Sequence, residues 1–181
     1  MNIYCMRHGR TNYNDLGLCN DDPAQDVHLT EAGIAQAQSA AHELRAAGFD
    51  RIIVSPLPRT RQTAEIVNHY HAVPIEVHAD LADIRSGFES KPVADYFAAI
   101  CHDPLGARVN GGESRLDHKQ RVLRFIDWLK VQPDETLLIV AHEETLWVFV
   151  AYFEGGIADA QLRDIHVGNC EYRRYVLARW F

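Results

Sequence analysis

Residues 136–141 read Thr-Leu-Leu-Ile-Val-Ala, an apolar run with no polar alternation. A strand with one face in water alternates polar and apolar residues. A run like this one fits a strand covered on both faces, at the centre of a mostly parallel sheet. It ends directly on His142.

Shorter apolar or β-branched runs at Asn2–Met6, Arg51–Ser55 and Ile75–His78, with Glu171–Ala178 at the end, read as further strands. Helical spacing lies between them. Thr30 is placed to cap a helix whose Ile34, Ala37, Ala41 and Leu44 would face inward, with Gly48 closing it. Pro58–Tyr70 and Val93–Cys101 predict two more. Ser114–Val131 is opened by Ser114 with Asp117, an approximate capping box, and carries Val122, Phe125, Ile126 and Leu129 on one face. Glu143–Phe153 completes the series. Strands alternating with helices predict an α/β fold: three layers, a mostly parallel sheet with helices on both faces. No repeat or linker divides the chain, so residues 1–181 are expected to form one domain. Ser86–Gly112 is the least regular stretch and is read as a substrate-side insertion.

Charge and cysteine usage limit the function classes. The formal net charge is −7, which disfavours nucleic acid as a partner and requires any anionic ligand to be caught by a local cationic pocket. The four cysteines show no CxxC spacing, which predicts free thiols and a cytoplasmic setting. No apolar run reaches the roughly eighteen residues of a membrane-spanning helix, and the short start Met1–Met6 lacks the basic residues of a signal peptide. His69-x-His71 with His78 is the one histidine cluster, and no acid or cysteine completes a ligand set there.

Ligands of open α/β sheets bind beyond the carboxyl ends of the strands. Strand Asn2–Met6 runs into Arg7-His8-Gly9-Arg10-Thr11, and Asn14 follows. A neutral imidazole at His8 is a nucleophile toward phosphorus when a neighbour holds the proton on its other nitrogen. Arg7 offers a planar fork for phosphate oxygens. Gly9 would allow close backbone approach, and Arg10, Thr11 and Asn14 are candidates to line the pocket. Taken alone, Arg-His-Gly also fits a solvated basic turn. A second junction, Ser55-Pro-Leu-Pro-Arg59-Thr-Arg-Gln-Thr-Ala64, puts Arg59 in the first turn of a helix, where a cation is misplaced unless an anion joins it. His142 is either a structural histidine or, beside His8, an oxyanion partner.

The order Arg-His-Gly, then Ser-x-Leu-x-Arg-x-x-Gln-Thr-Ala, then a late strand ending in His resembles the histidine phosphatase superfamily and its phosphoglycerate-mutase-like fold. Leu29-Thr30-Glu31-Ala32-Gly33 with Gln36-Ala37, and Gly112-Glu113-Ser114 with Arg121, are similar to further marks of that family. The resemblance spans residues 3 to about 145. It implies a metal-independent phosphatase with no cofactor, acting on a small phosphorylated metabolite. His8 would be phosphorylated and then hydrolysed, with Arg7, Arg59 and His142 holding the phosphoryl oxygens.

The chain departs from the family pattern in two places. Where the family offers a glutamate as general acid, this chain has Asp83, followed by Gly87; Glu89 is the reserve. Aspartate is one methylene shorter, and a displacement of about 1 Å can cost on the order of 100-fold. Glu143 replaces a glycine after His142 and would narrow the pocket, while Arg10 stands where a glutamate is common. Tyr4, Trp128, Trp147 and Trp180 are read as packing residues. The compact length favours a phosphatase over a mutase. A non-catalytic phosphate-binding protein and a phosphohistidine or phosphoprotein phosphatase are the alternatives. Neither the natural substrate nor the oligomeric state is encoded in a motif; the segments 12–27 and 86–112 are expected to set the former.

Overall fold

The structure, a computed structural model, describes residues 1–179; Trp180 lies outside the described residues. Five strands, β1 (Asn2–Arg7), β2 (Arg51–Val54), β3 (Ile75–Val77), β4 (Thr136–Ala141) and β5 (Tyr172–Val176), form one sheet in the order β3-β2-β4-β1-β5. All neighbours are parallel except the β1–β5 pair at the edge. The six α-helices among the described residues are α1 (Asn12–Leu16), α2 (Glu31–Leu44), α3 (Pro58–Val67), α4 (Val93–Ile100), α5 (Arg115–Leu129) and α6 (Glu143–Glu154). The fold is α/β, as the alternation predicts.

The unbroken apolar run of β4 has its explanation in the two cores. Leu137, Ile139 and Ala141 pack with Val122, Phe125, Ile126 and Leu129 of α5 and with Leu146, Val148 and Phe149 of α6. Leu138 and Val140 point the other way, into a core built from Ala37, Ala40, Ala41 and Leu44 of α2 and Ala64 and Val67 of α3. The sheet is therefore the middle of three layers, and β4 is buried from Leu137 to Ala141. A third, smaller cluster of Ile84, Tyr96 and Ile100 gives the irregular segment after β3 its own packing around α4.

Ile34 departs from the expected inward stripe of α2, being 40% exposed. The inward position next to it is taken by Gly33, because the loop after β1 passes against α2 at that point. A Cβ on Gly9 would stand 2.7 Å from the carbonyl oxygen of Gly33, and a Cβ on Gly33 would run into the carbonyl oxygen of Arg10. Backbone meets backbone here, and Ile34, one residue on and about 100° around the helix, is turned outward. The helix also stops at Leu44, with Gly48 (φ +65°) in the turn that follows. The short helix α1 was not expected. Its Thr11 and Asn14 form a reciprocal capping box at its start. The box of Ser114 and Asp117 at α5 is present as predicted.

Tyr4 and Trp128 are packing residues, against Phe49 and Phe125. His69, His71 and His78 lie against Tyr70, Phe49, and Phe125 with Trp128 respectively. Among the described residues no helix is long and apolar enough to cross a membrane.

Candidate active site

The sheet brings the two histidines together. β1 and β4 are neighbours in parallel register, with Arg7 opposite Ala141. The next residue on each strand is a histidine, and the amide of His8 still bonds the carbonyl of Ala141 at 3.0 Å. Their ring centroids are 5.4 Å apart, inclined at 61°. Both are buried at the carboxyl end of the sheet, where open α/β folds hold ligands.

Their hydrogen bonds fix which nitrogen is available. Nδ1 of His8 lies 2.8 Å from the carbonyl oxygen of Gly9, an acceptor only, so Nδ1 carries the proton and Nε2 keeps its lone pair. Nε2 faces the Nε–H of Arg59 at 3.2 Å. His142 is held the opposite way. Its Nδ1 receives the Nη2–H of Arg59 at 3.2 Å, and its Nε2 donates to Oγ of Ser55 at 2.8 Å. Burial, followed by the charge of Arg59, holds both imidazoles well below the usual histidine range. Both rings are neutral near pH 7.

Arg59 is the hub. It opens α3 just after Pro58, without a side-chain cap, and its guanidinium is buried. Nη1 donates to Oδ1 of Asn20, and Nη2 to the carbonyl of Asn20 at 3.2 Å and to Oδ2 of Asp83 at 2.8 Å. The expected anion at this helix start is thus Asp83. Arg7 enters from β1, and its Nη1 reaches Glu143 Oε2 and the carbonyl of Val167, each at 2.7 Å. Around these groups opens a cleft of about 1230 Å³, part of it open to solvent. Its floor holds Arg7, His8, Arg59, Asp83 and His142; its walls are mostly apolar or aromatic, with Leu18, Val27, Val93, Tyr96, Phe97 and Trp147.

A family description for the histidine phosphatase superfamily, branch 1, matches residues 3–179. The chain belongs to this superfamily. An adenosylcobalamin/alpha-ribazole phosphatase of Salmonella typhimurium is 34% identical over 160 residues, covering 83% of this chain and 78% of the relative. A protein of Erwinia tasmaniensis named after phosphoglycerate mutase is 28% identical, covering 96% and 84%. The crystal structure of the alpha-ribazole phosphatase from Shigella flexneri superposes with a TM-score of 0.86 at 28% identity, covering 96% of this chain and 89% of that one.

Within this member of the superfamily, the structure brings Arg7, His8, Thr11, Asn14, Arg59, Asp83, His142 and Glu143 to one cleft. Two expected residues stand outside it. Arg10 turns to the surface and pairs with Asp15, because the loop crosses α2 there and directs the side chain away. Gly9 is needed for the approach to Gly33 described above, with its amide on Thr63 Oγ1 at 3.0 Å. Glu89, the reserve acid, is not in the cleft either. Its carboxylate takes the amides of Asp21 and Asp22 at 2.7 and 3.0 Å and the side chain of Asn20 at 3.0 Å. It therefore holds the loop that presents Asn20 to Arg59. Arg121 and the buried Glu113 also act at one remove: paired with each other, they clamp the Asp83 loop through Arg121 bonds to the carbonyls of Asp80, Ala82 and Asp83.

Several residues of the site, among them Ser55, Glu144, Trp147 and Asn20, carry no functional reading in the sequence. Ser55 lies inside the recognised Ser-x-Leu-x-Arg motif, so a signal existed. Glu144 follows Glu143 at a helix start, where an acid suits the helix dipole and gives no functional signal, and Trp147 reads as packing. Asn20 had no signal, since its place depends on the fold of a distant loop.

Proposed function

We propose that this chain is a metal-independent phosphomonoesterase that acts on a small phosphorylated metabolite through a phosphohistidine at His8. One observation carries the reading: His8 keeps its proton on Nδ1 and presents Nε2 to the guanidinium that can hold the phosphoryl group. An in-line attack needs that lone pair and a cluster of donors for the charge spread over three oxygens. Arg59 and Arg7 lie beside the attacking nitrogen, and their charge and hydrogen bonds do what a metal would otherwise do; His142, neutral and with its N–H on Ser55, steadies Arg59 through Nδ1. Thr11 and Asn14 line the same cleft. Glu143 shares Arg7 and narrows the rim.

The aromatic and apolar walls suit an ester whose alcohol carries a ring or another apolar body. The relatives named alpha-ribazole phosphatases make alpha-ribazole phosphate one substrate to try. The test of the chemistry needs no natural substrate. An aryl phosphate is hydrolysed in the presence of a chelator, with His8→Ala protein as control. Turnover that survives chelation and is lost in the variant supports the reading. Absence of turnover in the unaltered protein across a broad pH range would favour a phosphate-binding role on the same fold.

A further inference from the structure

The leaving oxygen needs a proton, and the geometry of Asp83 is poorly suited to give one. Its Oδ2 is 2.8 Å from Arg59 Nη2 and 3.4 Å from His142 Nδ1, and its Oδ1 accepts the amide of Ile84 at 2.9 Å. Both oxygens are occupied in holding Arg59 and the residue's own loop. Glu144 stands differently. It lies in the first turn of α6, shortly after His142, and lines the same cleft as His8, Asp83 and Trp147. Among the described residues no hydrogen bond or ion pair joins its carboxylate to another side chain. It also forms part of the wall of a second, smaller cavity of about 360 Å³.

We propose that Glu144 is the proton donor to the leaving oxygen, and that Asp83 serves as the counter-ion that orients Arg59. The assignment rests on the phosphatase reading above. In the first step Nε2 of His8 bonds to phosphorus as the P–O ester bond breaks, and the Glu144 carboxyl proton passes to the departing oxygen, so that the alcohol leaves neutral. In the second step water attacks phosphorus while the Glu144 carboxylate takes its proton. The P–N bond breaks, its electron pair returns to Nε2, and phosphate leaves with Glu144 protonated again.

The surroundings of Glu144 favour a carboxyl that can hold and release a proton near neutrality. The charged and titratable groups facing it are Asp83, Glu143, Arg7 and Arg59, with His8, His142, Tyr13, Cys19, Tyr96 and Arg163 in the cleft and Arg115, His118, Lys119 and Asp159 around the smaller cavity. Burial, followed by the charge of Asp83, pushes its carboxyl up to about 7. A general acid works best when its pKa lies close to the working pH.

The deciding experiment compares kcat/KM for an aryl phosphate and an alkyl phosphate in the unaltered protein, Glu144→Gln, Glu144→Asp and Asp83→Asn. An aryl alcohol leaves with little protonation, whereas an alkyl alcohol depends on it. Glu144→Gln is expected to raise the aryl-to-alkyl ratio by about 100-fold, with part of that change recovered in Glu144→Asp. The fall of alkyl ester turnover with rising pH around neutrality is expected to vanish in Glu144→Gln. Asp83→Asn is expected to lower both esters by similar factors. An unchanged ratio in Glu144→Gln, or a large change in ratio in Asp83→Asn alone, overturns the assignment. Unaltered protein that turns over neither ester overturns the phosphatase reading, and the assignment with it.

Discussion

The Nε–H of Arg59 points at Nε2 of His8 across 3.2 Å, so the cation proposed to hold the phosphoryl group covers the lone pair proposed to attack it. A phosphate placed between them exchanges this contact for oxygens of higher negative charge, and the lone pair is released in the same movement. The rest of the guanidinium is fixed by Asn20, Asp83 and His142. Its orientation toward a ligand is thereby set in advance.

Arg59→Lys keeps the charge and loses the fork. A lysine ammonium cannot satisfy Asn20, Asp83, His142 and a phosphate oxygen together. We expect kcat/KM for an aryl phosphate to fall by about 100- to 1000-fold with the fold retained. Steady-state kinetics beside a circular dichroism spectrum checks this; a loss below about 10-fold would mean that charge alone suffices.

Glu143→Gln should free Arg7. The glutamine can still accept the amide of Val167, which Glu143 holds at 3.2 Å, but it no longer competes as an anion for Arg7. Inorganic phosphate should then inhibit about 10-fold more tightly, equivalent to ~1.4 kcal/mol. Inhibition constants for phosphate in the two proteins decide it. Weaker inhibition in the variant would show that Glu143 positions Arg7 and does not compete for it.

Gly9→Ala and Gly33→Ala both push a methyl into backbone. Neither carbonyl can rotate away as a side chain could, and overpacking of this kind costs about 1–3 kcal/mol. Gly33→Ala should be the worse of the two, since its new Cβ is the more deeply overlapped. Urea unfolding gives the stability change, and activity should fall with it because the displaced loop carries His8.

Acid should destabilise this protein through its buried histidines. Burial pushes His118 down to about 3 and holds His8 and His142 well below their usual range. Unfolded, each takes up a proton as pH falls through about 6.5, while the folded protein does not. The unfolded state then binds more protons, so stability is complete above about 6.5 and is lost as pH falls toward the folded pKa values. Each histidine contributes about 1.4 kcal/mol per pH unit in that window. Urea midpoints at about pH 7.5 and 5.5 measure the total. A pH-independent midpoint would contradict neutral burial of all three.

The meeting of Arg7, His8, Arg59 and His142 in one cleft was legible in the sequence because its signals are local. An apolar strand that stops on a histidine, or an arginine in the first turn of a helix, can be read within a few residues. The register of β1 on β4 then brings His8 to His142 with no further information needed. The walls were less legible. Asn20 reaches the cleft only through the folding of residues 12–27, and Tyr96 and Phe97 only through that of the α4 segment, both set by contacts between parts distant in sequence. Ile34 and Gly9 were misread for a related reason: helical spacing predicted an inward isoleucine, and chemistry a glycine beside phosphate, where the deciding fact was a backbone crossing. Glu143 shows the limit of a motif, which marks a departure without saying that the new residue faces Arg7.

The two arginines beside the histidines each have an acid of their own, Arg7 with Glu143 and Arg59 with Asp83. When a phosphate departs, these carboxylates return to the guanidinium groups and the network closes over the place it held. Release is therefore helped by an internal competitor, at no cost of leaving a buried cation alone. Sulfate and chloride meet the same competition. The site is built to let go of simple anions, so retention must come from the part of the ligand that the aromatic walls embrace.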